Sequence, residues 1–200
     1  MRRVLGVLRA FSRETRGAAA AEFAIWFVAL IFPIMNVVDV SFYVYQKMEV
    51  QNAAQAAAQN AWAICKDATM WPATQKCGTS PQGSTLNAAI LAGAHSTGLG
   101  VNVKVQPGLE GYYCTDAAGS PVLVGSSAPI NIVNNVSSAD GTPSKPSPFN
   151  CSSVVTGSTT QPGDYLRISV SYLYTPVFDA VSVTQLLPAT MTADTWVRLG

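Results

Sequence analysis

Hydrophobic and polar positions fall into three regimes along these 200 residues. From Ala18 to Val38 the apolar positions follow one another, with a single carboxylate, Glu22, near the start (AAAAEFAIWFVALIFPIMNVV). As a helix rising about 1.5 Å per residue the run spans roughly 31 Å, close to the about 30 Å hydrocarbon core of a bilayer. From Asp39 onward, Val50, Ala54, Ala57, Ala58, Ala61 and Ile64 recur at three- and four-residue steps, the period of one helix face. Neither Gly nor Pro occurs between Asn36 and Trp71. The two segments therefore predict a single rod from Ala18 to Ile64, about 47 residues and roughly 70 Å long, kinked at Pro33. Alanine favours helix and permits close backbone approach, so the outer face packs either on the C-terminal domain or on other rods.

After Lys66 the composition turns to Gly, Pro, Ser, Thr and Val, with turn clusters every ten residues or so. Such punctuation predicts short strands joined by loops, in a stretch long enough for one modest core. Thr85 to Thr97 (TLNAAILAGAHST) predicts a short helix, with Ser84 or Thr85 as N-cap and Gly98 at its end. Strands are expected at Val101 to Val105, Tyr112 to Thr115 and Val122 to Val124, and a stretch that is mostly loop from Gly125 to Gln161. Tyr165, Arg167, Ser169 and Ser171 then alternate with Leu166, Ile168, Val170 and Tyr172, the pattern of a half-buried strand. Phe178 to Leu187 fits no single pattern, and Thr190 to Leu199 closes the chain as a strand. The expected fold class is α+β: a long N-terminal transmembrane helix, then a small, mainly antiparallel sheet domain with a short helix and long loops. The helix is expected to lie partly against the sheet.

Charge orients this layout. Arg2, Arg3, Arg9, Arg13 and Arg16 precede the apolar run against only Glu14, so the N-terminus stays cytoplasmic and the bulk of the chain lies across the membrane. A secretory signal peptide is the competing explanation, but the residues after Leu30 (IFPIMNVVDVSFYVYQ) offer no A-x-A-like site; the small residues lie ahead of the apolar core. Processing is therefore expected on the cytoplasmic side. Trp26, Phe27, Phe32, Phe42, Tyr43 and Tyr45 suit lipid and interface positions, as anchors.

Gly17 followed by AAAAEF, set between arginines and an apolar run, resembles the cleavage motif of type IV pilin-like proteins. Glycine, four residues, glutamate and an aromatic is similar to the form in Flp pilins and in TadE-like minor pilins of tight-adherence (Tad) pili. Flp pilins usually carry tyrosine where Phe23 stands and are far shorter, which favours the TadE-like branch. The resemblance implies that a prepilin peptidase cuts between Gly17 and Ala18, and that Glu22 and Phe23 are the acidic and aromatic positions used in assembly. It also implies other pilins or pseudopilins, an inner-membrane assembly platform and the lipid bilayer as partners, at a bacterial inner membrane. The expected organisation is a cleaved cytoplasmic leader (1–17), a transmembrane helix (18–38), its periplasmic continuation (39–66) and a periplasmic α+β domain (67–200).

The motif has its own chemistry. Glycine lets a protease approach the backbone closely. Cleavage frees an α-ammonium on Ala18, mostly protonated near neutrality, whereas a carboxylate in hydrocarbon costs on the order of a few kcal/mol unless paired. Glu22 can therefore pair with the freed amine of a neighbouring subunit, making processing an assembly switch. Alternatively Glu22 only snorkels to the headgroups, and the protein is a permanently anchored periplasmic binding or adhesion domain. N-terminal sequencing separates these.

Cys65, Cys77, Cys114 and Cys151 all lie on the predicted outer side, an even number in an oxidising compartment, so disulfides are expected. Three connectivities are possible; proximity in sequence favours Cys65 with Cys77 and Cys114 with Cys151. Without CxxC, and with His95 as the one histidine, neither a metal site nor a cofactor is expected. No GxSxG, HExxH or GxxxxGK pattern occurs, so no catalytic residues are assigned. Glu110, Asp116, Asp140, Asp164 and Asp179 stand among turn-like segments, where capping and solvation are the expected roles. The bases cluster in the N-terminal stub, which argues against nucleic acid as a partner.

Overall fold

The computed structural model describes residues 15–67, 69, 72–77, 86–133, 136–139, 143–179 and 182–199. The expected leader up to residue 14, the N-cap at Ser84 or Thr85, and Asp140 lie outside the described residues. The architecture is α+β. Helix α1 (Thr15–Cys65) runs without interruption through Pro33, three residues earlier and one later than the hydrophobic pattern predicts. Helix α2 is Leu86–Ala94. The strands are β1 (Lys104–Thr115), β2 (Pro121–Leu123), β3 (Ala128–Val133), β4 (Val136–Ala139), β5 (Gly163–Leu173) and β6 (Thr190–Arg198). They form an antiparallel sheet in the order β4-β3-β1-β5-β6, with β2 also paired to β1.

The chain divides into two compact units: residues up to Val44 with Thr175–Pro188, and Tyr45–Tyr174 with Ala189–Gly200. In the second unit, Val50, Ala53, Ala54, Ala57, Ala58, Ala61 and Cys65 of α1 are buried. The alanine face therefore packs within its own domain, the first of the two options its spacing left open. Small residues are needed there because α2 comes within backbone contact. A Cβ on Gly93 would stand 2.6 Å from the Ala56 carbonyl oxygen and 2.7 Å from the Ala57 Cα. Asn60 Nδ2 donates to the Ala89 carbonyl at 3.3 Å, and Glu49 Oε2 accepts from the Gly98 amide at 2.9 Å. Gly93→Ala is expected to wedge the helices apart and cost about 1–3 kcal/mol, read as a lower denaturant midpoint at unchanged slope.

Three expectations need correction. Val101 does not begin a strand: Gly100–Asn102 is a 3-10 turn, and one long β1 replaces the two strands anticipated around Pro107. The strand continues because a register shift between Gln106 and Leu109 absorbs the irregularity. The supposed loop from Gly125 to Gln161 contains the β3–β4 pair, with Ile130 opposite Ala139 and Val133 opposite Val136. Helix α2 stops at Ala94 rather than Thr97. Ser96 Oγ and Thr97 Oγ1 donate to the Gly93 and Ala94 carbonyls, at 2.7 and 3.3 Å, satisfying acceptors left by the missing turn.

Candidate membrane and assembly site

The first half of α1 is bare. Phe23, Ile25, Trp26, Phe27, Val28, Leu30, Phe32 and Ile34 are all exposed, with the Phe23 and Phe27 rings stacked at 6.1 Å. The helix is long and apolar enough to cross a membrane, and only 6% of its apolar window is buried. The core helix of a water-soluble protein is mostly covered by its own fold; an apolar surface of this extent calls for an outside cover. This N-terminal apolar helix suggests membrane anchoring as a single-pass protein.

Gly17, Ala18, Glu22 and Phe23 share the first three turns of that helix. Gly17 is exposed, and a Cβ built on it meets nothing within 4 Å. Glu22 is exposed and, among the described residues, has no ion-pair partner. The backbone from Thr15 onward is helical, so a protease needing an extended substrate has to unwind the first turn around Gly17.

Across the end of the apolar run a polar face appears, in which sequence reasoning assigned no role to Asn36 or Asp39 and an anchoring role to Tyr43. Asn36, Asp39 and Tyr43 stand at steps of three and four, and each holds the segment Thr175–Pro188. Asn36 Oδ1 accepts from the Val183 amide at 2.7 Å, while its Nδ2 donates to the Phe32 carbonyl at 2.9 Å. Asp39 is completely buried; its Oδ1 accepts from the Val177 amide at 3.0 Å and its Oδ2 from the Phe178 amide at 3.3 Å. Burial of a carboxylate is costly unless donors replace its water, and two backbone amides do so here. Tyr43 is buried, not lipid-facing as its neighbours suggest, and its hydroxyl donates to the Pro188 carbonyl at 3.4 Å. The signal available in sequence was the spacing of Asn36 and Asp39 within an otherwise apolar face.

In the second unit Cys65 is bridged to Cys77, and Cys114 to Cys151, each with Cα atoms 5.7 Å apart. The first bridge ties the end of α1 to the one-turn helix Ala73–Lys76. The second packs with Val124 and Val154. His95 Nε2 lies 3.2 Å from the Val103 carbonyl, a packing contact between α2 and β1. Asp116 caps its turn by accepting from the Ala118 and Ser120 amides, at 2.9 and 2.8 Å.

Glu110 and Asp164 depart from the turn roles expected of them: both are buried, on adjacent strands of the sheet. The irregularity in β1 switches its inward parity, from Val103 and Val105 before it to Gly108, Glu110, Tyr112 and Cys114 after it. Asp164 has the inward parity of Leu166, Ile168 and Val170 and stands opposite Tyr112. Glu110 Oε1 accepts from the Ala73 amide, whereas no donor meets either Asp164 oxygen among the described residues. Burial first, then the charge of Glu110, push Asp164 up to about 8, against a smaller opposing pull from Lys145. Near neutrality Asp164 therefore carries a proton it can donate to Glu110. Burial and the same two carboxylates raise Tyr112 to about 12.

Residues 17–59 match the family model described as TadE-like protein. No curated protein and no solved structure matches the chain.

Proposed function

We propose, from the premise that this is a TadE-like and hence Tad pilus-related, pilin-like protein, that it is a minor pilin or pseudopilin processed by a prepilin peptidase between Gly17 and Ala18. Its role is in assembly, priming, seating or capping a filament used for adhesion or secretion. The observation that carries this is the first half of α1: among the described residues, an apolar helix almost without cover from its own fold, headed by an accessible glycine and a carboxylate with no ion-pair partner. The hydrocarbon of a bilayer can cover the apolar side chains, but it offers Glu22 no counter-charge. An α-ammonium on Ala18 of a neighbouring subunit supplies one, and only after the leader has gone.

The same premise makes the role structural rather than catalytic. The proposed partners are the peptidase, other pilins or pseudopilins and the inner-membrane platform. The leader would remain in the cytoplasm, residues 18–38 would cross the inner membrane, and 39–200 would stand in the periplasm.

Intact-mass analysis of the protein from its own membrane, without reduction, tests this. The expected mature chain begins at Ala18, carries both bridges, and reverts to the full-length mass when the peptidase is deleted. A native chain still starting at Met1 would instead identify a permanently anchored periplasmic domain.

A further inference from the structure

We propose that Thr175–Pro188 is a second membrane contact, lying in the outer lipid–water interface beside α1 and placing Val177, Val183, Leu186 and Leu187 among the headgroups and first acyl carbons. This rests on α1 crossing a bilayer. Three observations lead to it.

The first is depth. Val183 is bonded at Asn36, Val177 and Phe178 at Asp39, and Pro188 at Tyr43. Those helix positions cover about 10 Å of rise and straddle Val38, where the apolar run ends. The 3-10 turn Val183–Leu186 is thus tied to the last turn of the span, at the depth where hydrocarbon gives way to headgroups.

The second is composition. Leu186 is 88% exposed, Val177 61%, Val183 45% and Leu187 39%, while Asp179 is the one charge in TPVFDAVSVTQLLP. Large aliphatic side chains turned outward from a short segment leave an apolar surface that water does not favour.

The third is continuity. Val37, Val38, Val40, Phe42 and Val44 on α1 are exposed at the same level, so the segment extends the apolar surface of the span. Its backbone near Asn36 and Asp39 is already hydrogen-bonded, which removes the main cost of bringing non-helical chain to this depth. An interfacial segment of this kind gains from apolar burial while its polar groups stay wet. Two points of attachment would also fix the rotation of α1 in the bilayer, which a lone helix leaves free.

The test uses the full chain with an environment-sensitive fluorophore on Leu186→Cys, reconstituted at one copy per lipid nanodisc. All four native cysteines are bridged, so the introduced thiol is the one labelled. Val177→Cys is a second reporter, Leu30→Cys marks the span, and Val101→Cys marks water. Lipids spin-labelled near the headgroup should quench Leu186 and Val177 more than lipids labelled deep in the chain, and iodide should quench both roughly threefold less than Val101. If Leu186 and Val177 match Val101 while Leu30 stays quenched from deep in the bilayer, the interfacial contact is overturned and the anchor stands. If Leu30 is also open to iodide, the membrane span itself falls, and this contact with it. Protection that appears only with two or more copies per disc overturns the lipid contact in favour of a second copy of the chain.

Discussion

The unfolding midpoint of the full chain is expected to fall as pH rises from 5 to 9, and Asp164→Asn is expected to flatten most of that slope. In the folded domain Asp164 is held at about 8 by burial and by the charge of Glu110, whereas an unfolded aspartate titrates near 3.9. Between these values the folded state keeps a proton that unfolding releases. Its contribution is complete below about pH 4 and is lost as pH climbs through about 8, the reverse of a salt-bridged carboxylate. One proton corresponds to about 1.4 kcal/mol per pH unit, so the change from pH 5 to 8 is on the order of a few kcal/mol. Lys145 draws Asp164 downward, and the value of about 8 already includes that pull. Melts in detergent at several pH values, with the disulfides intact, provide the measurement. Equal slopes in the parent and the Asn variant would remove Asp164 as the cause.

This pair also shows what the sequence could and could not reveal. The alternation of β5, extended back one residue from Tyr165, puts Asp164 on the side of Leu166, Ile168 and Val170, a placement that the turn-like reading of Asp164 missed. Glu110 could not be placed by parity, because the irregularity after Gln106 reverses which positions of β1 face inward. Even with both faces known, the diagonal approach of Glu110 and Asp164 follows from strand register, a long-range quantity.

The same distinction holds elsewhere. α1 was legible because alanine-rich helical propensity and a three- to four-residue period agree over many turns, and β5 because its alternation is clean. The β3–β4 pair was hidden by Ser, Asn and Pro, which signal turns even where Ile130 and Ile132 keep a two-residue period. Phe178 to Leu187 matched no pattern for a physical reason. Two of its amides, those of Phe178 and Val183, are satisfied by Asp39 and Asn36, more than 130 residues away, and its one regular element, the 3-10 turn Val183–Leu186, is too short to leave a period. At the head of α1 the expectation for Gly17 and Glu22 rests on residue types alone, and both are exposed among the described residues.

Replacing Glu22 with Gln is expected to leave membrane insertion and the fold of the sheet domain intact while cutting incorporation into the assembled apparatus by about tenfold or more. Insertion depends on the apolar run, which the change makes less polar. On the proposed pairing, incorporation depends on a charge pair whose loss, at a few kcal/mol in a low-dielectric setting, corresponds to at least tenfold in association. If Glu22 merely reached the headgroups, Gln would be neutral or mildly favourable, so incorporation at parental levels counts against the pairing. A double-mutant comparison isolates the mechanism. The open space around Gly17 accepts a larger residue without a clash, so Gly17→Val blocks processing without a direct cost in packing. On the proposed mechanism, a retained leader leaves no α-ammonium on Ala18 for Glu22 to pair with. Adding Glu22→Gln to Gly17→Val should then change incorporation no further, whereas independent roles for the two residues would give a second, additive loss.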